Sequence, residues 1–248
     1  MANATFRIWR GDASGGKFVD YTTEVSEGMV VLDAVHHIQA ESAGDLAVRW
    51  NCKAGKCGSC SAEINGKPRL MCMTRLNQLP LDEPVTVEPI KAFPLLRDLV
   101  TDVSWNFRVK KQIKKFKPRK PDAADGTWRM DQADVDRVQE FRKCIECFLC
   151  QDVCHVLRDH HKHPEFAGPR HFVYTAALEM HPLDVENRIA DIKGADGGGG
   201  IGYCNITKCC TKVCPEHITI TDNAIIPLKE RVVDRFFDPL RRFFSRSK

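Results

Sequence analysis

The 248 residues, 43% of them hydrophobic, are enough for two domains with cores of their own, which excludes general disorder. The net charge of +4 is not spread along the chain: residues 105–121, WNFRVKKQIKKFKPRKP, carry eight basic side chains and no acid, leaving −2 on each flank, so the protein lacks the general basicity of a nucleic-acid binder. Twelve cysteines in a chain that needs no staples point to reduced thiols used for metal ligation rather than to disulfides.

Residues 5–10 and 17–25 read as strands around the turn composition GDASGG and should pair antiparallel. After Ser26 the apolar positions Val31, Leu32, Val35 and Ile38 recur at helical spacing, predicting a short helix packed on that hairpin. A cysteine-rich loop follows. Residues 61–64, Asn65-Gly66 and an extended run to Cys72 predict a second hairpin through a type I′ turn, and residues 85–90 alternate like another strand. Residues 1–104 are therefore expected to form a small α+β domain, and 105–121 a basic linker. From 122 to 248 strand-like alternation gives way to helices. Asp131 is a candidate cap for a helix carrying Val135, Val138 and Phe141, which leads into the next cysteines. Residues 194–202, with their GGGG, read as a flexible connector. No stretch of about 18 apolar residues is present to span a bilayer, and the opening MANATFRIWRGD has no signal-peptide core or transit pattern, so a soluble, unexported chain is expected.

Cys52, Cys57, Cys60 and Cys72 have the C-x4-C-x2-C spacing with a fourth cysteine further on that is typical of a plant-type [2Fe-2S] site. Gly55 and Gly58 inside that loop would let backbone amides approach sulfur. Zinc is the rival ligand, although it favours paired C-x2-C knuckles. Cys144, Cys147, Cys150 and Cys154 form C-x2-C-x2-C-x3-C, the bacterial ferredoxin run whose fourth cysteine serves the other cluster. Its partner is Cys204, Cys210 and Cys214-Pro215, with Thr207 where a middle cysteine would stand. Exchanging the fourth cysteines gives Cys144, Cys147, Cys150 and Cys214 for a [4Fe-4S] cluster. Cys154, Cys204 and Cys210 remain, one thiolate short. A neutral hydroxyl is a poor iron ligand, so that site should hold [3Fe-4S] with its vacant corner towards Thr207. Cys209 is a spare, read either as a small buried apolar residue or as a fourth ligand.

The phrases RWNCKAGKCGSCSAEINGKPRLMC (49–72), PLLRDLV (94–100), CIECFLCQDVC (144–154) and KCCTKVCP (208–215) give the chain a resemblance to the iron-sulfur subunits of succinate dehydrogenases and fumarate reductases. The resemblance implies an α+β protein in which a β-grasp plant-type [2Fe-2S] ferredoxin domain precedes an all-α, bacterial-ferredoxin-like two-cluster domain. It also implies a flavoprotein partner that holds covalent FAD and the dicarboxylate site, and a membrane anchor, with or without haem b, where quinone binds. The subunit would lie at the cytoplasmic face of the plasma membrane and turn over no substrate alone; no G-x-G-x-x-G follows a strand to bind flavin. Some residues depart from the family pattern. His155 stands where most relatives have proline, the tryptophan pair of ubiquinone-reducing relatives is missing, and Asn205 replaces their histidine. Menaquinone, or a quinone site wholly within the anchor, fits these departures better than ubiquinone.

Two further features allow more than one reading. His160, His161 and His163 could form a metal or proton-relay group or simply a solvated loop. The basic, Phe-rich tail, residues 231–248, would be split by Pro239 into two short pieces, for docking on an anchor or anionic lipid or for packing on its own domain. Competing functions are an electron-transfer subunit for another flavoprotein and a zinc-stabilised nucleic-acid binder.

Overall fold

The structure is a computed structural model that describes residues 2–194 and 199–238. In chain order its elements are β1 (Ala2–Asp12), β2 (Gly15–Val25), α1 (Val31–Glu41), β3 (Ser61–Ile64), β4 (Lys67–Leu70), β5 (Val85–Glu88), β6 (Leu95–Arg97) and β7 (Val100–Thr101). Helices follow: α2 (Ser104–Lys111), α3 (Gln132–Gln139), α4 (Leu149–Asp152), α5 (His155–Arg158), α6 (Gly168–Glu179), α7 (Ile189–Lys193), α8 (Cys209–Val213) and α9 (Ile226–Phe236). They divide into two units, residues up to 103 together with 145–153, and residues 104–144 together with those from 154 onward.

Alternation of period two builds the first unit. Ala4, Phe6 and Ile8 of β1 are buried, as are Val85 and Val87 of β5, which pair in parallel register as Phe6 with Val85 and Ile8 with Val87. The sheet order is β4-β3-β5-β1-β6-β7, with β2 antiparallel to β1. Val31, Leu32, Val35 and Ile38 bury one stripe of α1, which packs on β2 as the helical spacing predicts. Asn65 and Gly66 both take positive φ, as a type I′ turn requires, and set the Ile64–Lys67 pairing. β6 and β7 were not predicted from the sequence. Between them Asp98, at φ 48°, is buried and accepts hydrogen bonds from Gly11 N (2.9 Å) and Ala47 N (2.8 Å), closing the sheet edge onto the segment that leads to Cys52.

Residues 145–153, expected in the helical half, belong to this first unit. The buried carboxylate of Asp152 accepts Lys91 N (2.6 Å) and Ala92 N (3.1 Å), two amides just beyond β5. Phe148 stacks edge-on against Phe93, with ring centroids 6.0 Å apart.

In the second unit α6 is the central helix. Phe172, Val173 and Ala176 are buried, and α6 packs against a π turn over Ile220–Ile225 that continues into α9. Glu140 joins distant segments by accepting Thr219 N and Asn223 Nδ2, both at 2.6 Å. Asp131 precedes α3 as expected, but its side chain makes no capping bond; its carbonyl oxygen accepts from Asp134 N and Val135 N instead. The basic segment, expected as a linker, starts as α2 and then runs along this unit. Arg188, only 1% exposed, donates to the carbonyl oxygens of Lys114 (2.9 Å) and Lys115 (2.8 Å) and pairs with Asp184 at 2.8 Å. A buried guanidinium needs acceptors for its fork of donors, and the backbone of the basic strap supplies them.

Of the glycine-rich segment, residues 195–198 lie outside the described residues. Gly200 is held rather than loose: its φ is +59°, and a Cβ there would collide with the Glu165 carbonyl oxygen. In the tail, α9 buries Leu228 and Val232, and Arg231 donates to the Glu179 carbonyl oxygen at 3.2 Å, so this part packs on its own unit. Pro239 and the rest of the tail lie outside the described residues.

Candidate metal centres

Three residues of positive φ, Lys53, Gly55 and Gly58, curl the loop that carries the first cysteines. The curl turns amides towards sulfur. Ala54 N and Lys56 N each donate to Cys52 Sγ at 3.3 Å, Ser59 N reaches Cys57 Sγ at 3.5 Å, and Cys72 N reaches Cys60 Sγ at 3.5 Å. The thiols of Cys52 and Cys57 are in hydrogen-bonding contact, as are those of Cys60 and Cys72, so the four predicted ligands are brought together. The Ala54 and Lys56 amides draw the Cys52 thiol down to about 7, whereas burial pushes Cys60 up to about 12. Amide donors aimed at sulfur stabilise thiolates and the added negative charge of a reduced cluster, and this loop therefore fits a [2Fe-2S] group.

The two loop glycines also leave room for neighbours other than the cysteine thiols. A Cβ on Gly55 would lie 2.9 Å from Met73 Sδ, and one on Gly58 only 2.5 Å from Cys147 Cα. Ser61 Oγ lies 2.8 Å from Cys147 O and 2.9 Å from Gly58 O, one hydroxyl proton serving both carbonyls. Gly58 is thus the point where the first cysteine loop meets the backbone of the second cysteine run, inside the first unit.

The two ferredoxin-like runs have matching backbones sixty positions apart. Glu146 (φ 55°) and Phe148 (φ 62°) correspond to Ile206 (φ 58°) and Lys208 (φ 61°), and α4 starts at Leu149 as α8 starts at Cys209. Left-handed residues at these positions are the backbone element from which anion-binding nests of N–H groups are built. Side-chain spacing alone did not reveal these non-glycine left-handed positions. Of the thiols predicted for [4Fe-4S], Cys147 and Cys150 belong to the first unit and Cys144 and Cys214 to the second. Cys214 Sγ accepts from Ile218 N at 3.4 Å.

Within the second unit, Cys154, Cys204, Cys210 and Thr207 line one partly open cleft, and Cys209 lines it with them. Burial pushes the Cys154 thiol up to about 11 and raises Cys210 as well, with neighbouring Cys209 and Cys204 adding to both shifts. Behind Cys210 stands a chain that sequence reasoning missed. Thr221 N donates to Thr211 Oγ1 (3.0 Å), which donates to Thr221 Oγ1 (3.1 Å), leaving the Thr221 proton for Cys210 Sγ at 3.4 Å. A hydroxyl aimed at Cys210 Sγ would stabilise a thiolate there, so these groups fit a bound iron-sulfur cluster. Two of the departures from the family pattern meet at this cleft, where Asn205 Nδ2 and His155 Nε2 are 3.0 Å apart.

Two of the three histidines at 160–163 pack on other rings. His163 packs edge-on against Trp105 at 4.7 Å and His160 against His155 at 5.9 Å. Among the described residues no three His, Cys, Asp or Glu side chains form a group able to hold a single metal ion.

Residues 5–108 match the family model of a 2Fe-2S iron-sulfur cluster binding domain, and residues 140–218 that of a 4Fe-4S dicluster domain. The fumarate reductase iron-sulfur subunit of Mycobacterium tuberculosis is 32% identical over 209 residues, covering 83% of this chain and 82% of that protein. The succinate dehydrogenase iron-sulfur subunit of Bacillus subtilis is 29% identical over 191 residues, covering 75% and 72%. A chain of the Mycobacterium smegmatis Sdh1 complex in the apo form is 61% identical, with a TM-score of 0.90, covering 96% of this chain and 98% of that one. A [2Fe-2S] ferredoxin domain followed by a dicluster domain is the architecture common to the family models and the fold.

Proposed function

The chain belongs to the family of succinate dehydrogenase and fumarate reductase iron-sulfur subunits, and we propose that it carries electrons from the FAD of a flavoprotein subunit to quinone in a membrane anchor. The ligands are Cys52, Cys57, Cys60 and Cys72 for [2Fe-2S], Cys144, Cys147, Cys150 and Cys214 for [4Fe-4S], and Cys154, Cys204 and Cys210 for [3Fe-4S]. Bound clusters supply one-electron redox steps between a two-electron flavin and a two-electron quinone. The chain's own residues hold and tune them. Amides of Ala54, Lys56 and Ser59 favour negative charge on the first site, and the Thr211–Thr221 hydroxyl chain does so at Cys210.

The observation that carries the order of the path is the contact of Gly58 with Cys147. Here the loop of the first cluster touches a ligand-bearing segment of the second without an intervening side chain, and the Ser61 hydroxyl bridges both backbones. Such a short, rigid connection supports transfer from [2Fe-2S] to [4Fe-4S], leaving the three-thiolate site as the donor to quinone. His155 and Asn205, bonded to each other at that site, favour menaquinone or a quinone site wholly within the anchor over a ubiquinone pocket on this chain.

Purification of the native complex tests the reading. It should yield a partner with covalent flavin, a membrane anchor, and succinate oxidation or fumarate reduction at the cytoplasmic membrane face. Another flavoprotein without dicarboxylate activity, or a colourless protein containing zinc and no acid-labile sulfide, would overturn it.

A further inference from the structure

In the first ferredoxin-like run, the place equivalent to Cys209 is taken by Leu149, which is 1% exposed in the core. In the second run a thiol stands there, half-buried at the start of α8, with its Sγ 3.2 Å from Thr207 Oγ1. The cleft of Cys154, Cys204 and Cys210 therefore contains a fourth thiol, and it lies beside the hydroxyl that replaces the expected cysteine. A residue that merely filled apolar space would face the core as Leu149 does. Cys209 faces the ligand cleft instead.

We propose that Cys209 is a reserve ligand that captures ferrous iron at the corner facing Thr207, converting the site from [3Fe-4S] to [4Fe-4S] when iron is plentiful and returning it when iron is scarce. The proposal rests on the three-thiolate reading of this cleft. The step balances without an external oxidant or reductant once the cluster is reduced. A reduced three-iron cluster has two ferric irons and one ferrous iron, and one ferrous ion completes the usual two-ferric, two-ferrous cubane. The S–H bond of Cys209 breaks, an Fe–S bond forms, and the proton leaves to solvent. Thr207 is displaced from the corner and needs to contribute no bond.

The native complex is tested by electron paramagnetic resonance, anaerobically reduced and incubated with ferrous iron, then desalted and mildly reoxidised. In the wild type most of the three-iron signal should be lost, and re-reduction should reveal an additional four-iron signal; a chelator with oxidant should restore the original state. Cys209→Ser and Cys209→Ala should keep the three-iron signal throughout, with iron and sulfide content confirming assembly, while Thr207→Ala should convert as the wild type does. A three-iron signal that never converts in the wild type, or that converts equally in both Cys209 variants, overturns the proposal. A wild-type protein with no three-iron signal before iron is added overturns the reading on which it rests.

Discussion

The runs 144–154 and 204–214 trace one backbone with two sets of side chains. Both place left-handed residues at the third and fifth positions and begin a helix at the sixth. They differ in what stands on that frame: Cys147 against Thr207, and Leu149 against Cys209. Their supports also differ. Ser61 and Asp152 clamp the first run by its backbone and helix end, whereas the second is backed by hydroxyls that end on a ligand sulfur. On the proposed reading the two runs share left-handed positions, and the difference between Cys147 and Thr207 sets how many irons each site keeps.

The comparison breaks most severely at Gly58. A Gly58→Val side chain would force its Cβ onto Cys147 Cα from a backbone at φ 67°, so the first loop and the first run should lose iron together while the second run keeps its cluster. Iron and sulfide per chain, with low-temperature spectra, check this.

Acid should weaken the second unit through His171 on α6. Burial, aided by the Arg170 charge, lowers this imidazole from 6.5 to about 4, so the unfolded chain takes up a proton first as pH falls. Its contribution is complete above the unfolded value and is lost between about 6.5 and 4, amounting to roughly 3 kcal/mol. His171→Phe should flatten urea-unfolding stability over that window. The first run should respond to Asp152→Ala instead. Two amides would lose their acceptor, costing about 1–3 kcal/mol in urea unfolding, with its main spectral change at the first run rather than the second. The smallest effect is expected at Thr221→Val. Removing a hydrogen bond to Cys210 Sγ destabilises the reduced cluster, and a bond worth about 0.5–1.5 kcal/mol lowers the potential by about 20–60 mV, read by redox titration.

Local signals made much of the molecule legible. The β1–β2 and β3–β4 hairpins and α1 follow from alternation, an Asn-Gly turn and one apolar stripe, all contained within a few residues. The cysteine spacings named the thiols, and the loop and cleft brought seven of them into two groups. What escaped depends on distant partners. β6 and β7 exist because Asp98 binds amides of Gly11 and Ala47, and residues 145–153 join the first unit because Asp152 finds Lys91 and Ala92. The basic segment looked like a linker because its charges are sequence-local, while the buried Arg188 that holds its carbonyls lies some seventy residues away. Cys209 was ambiguous because spacing fixes neither the direction of a side chain nor its 3.2 Å approach to Thr207.

Electron paramagnetic resonance of the native, air-oxidised complex, followed by stepwise reduction, distinguishes two cluster types on the two runs from one. The oxidised protein should show a single three-iron signal that disappears on reduction, with one [2Fe-2S] and one [4Fe-4S] signal emerging. Two [4Fe-4S] signals and no three-iron signal in the native protein would contradict the three-iron assignment.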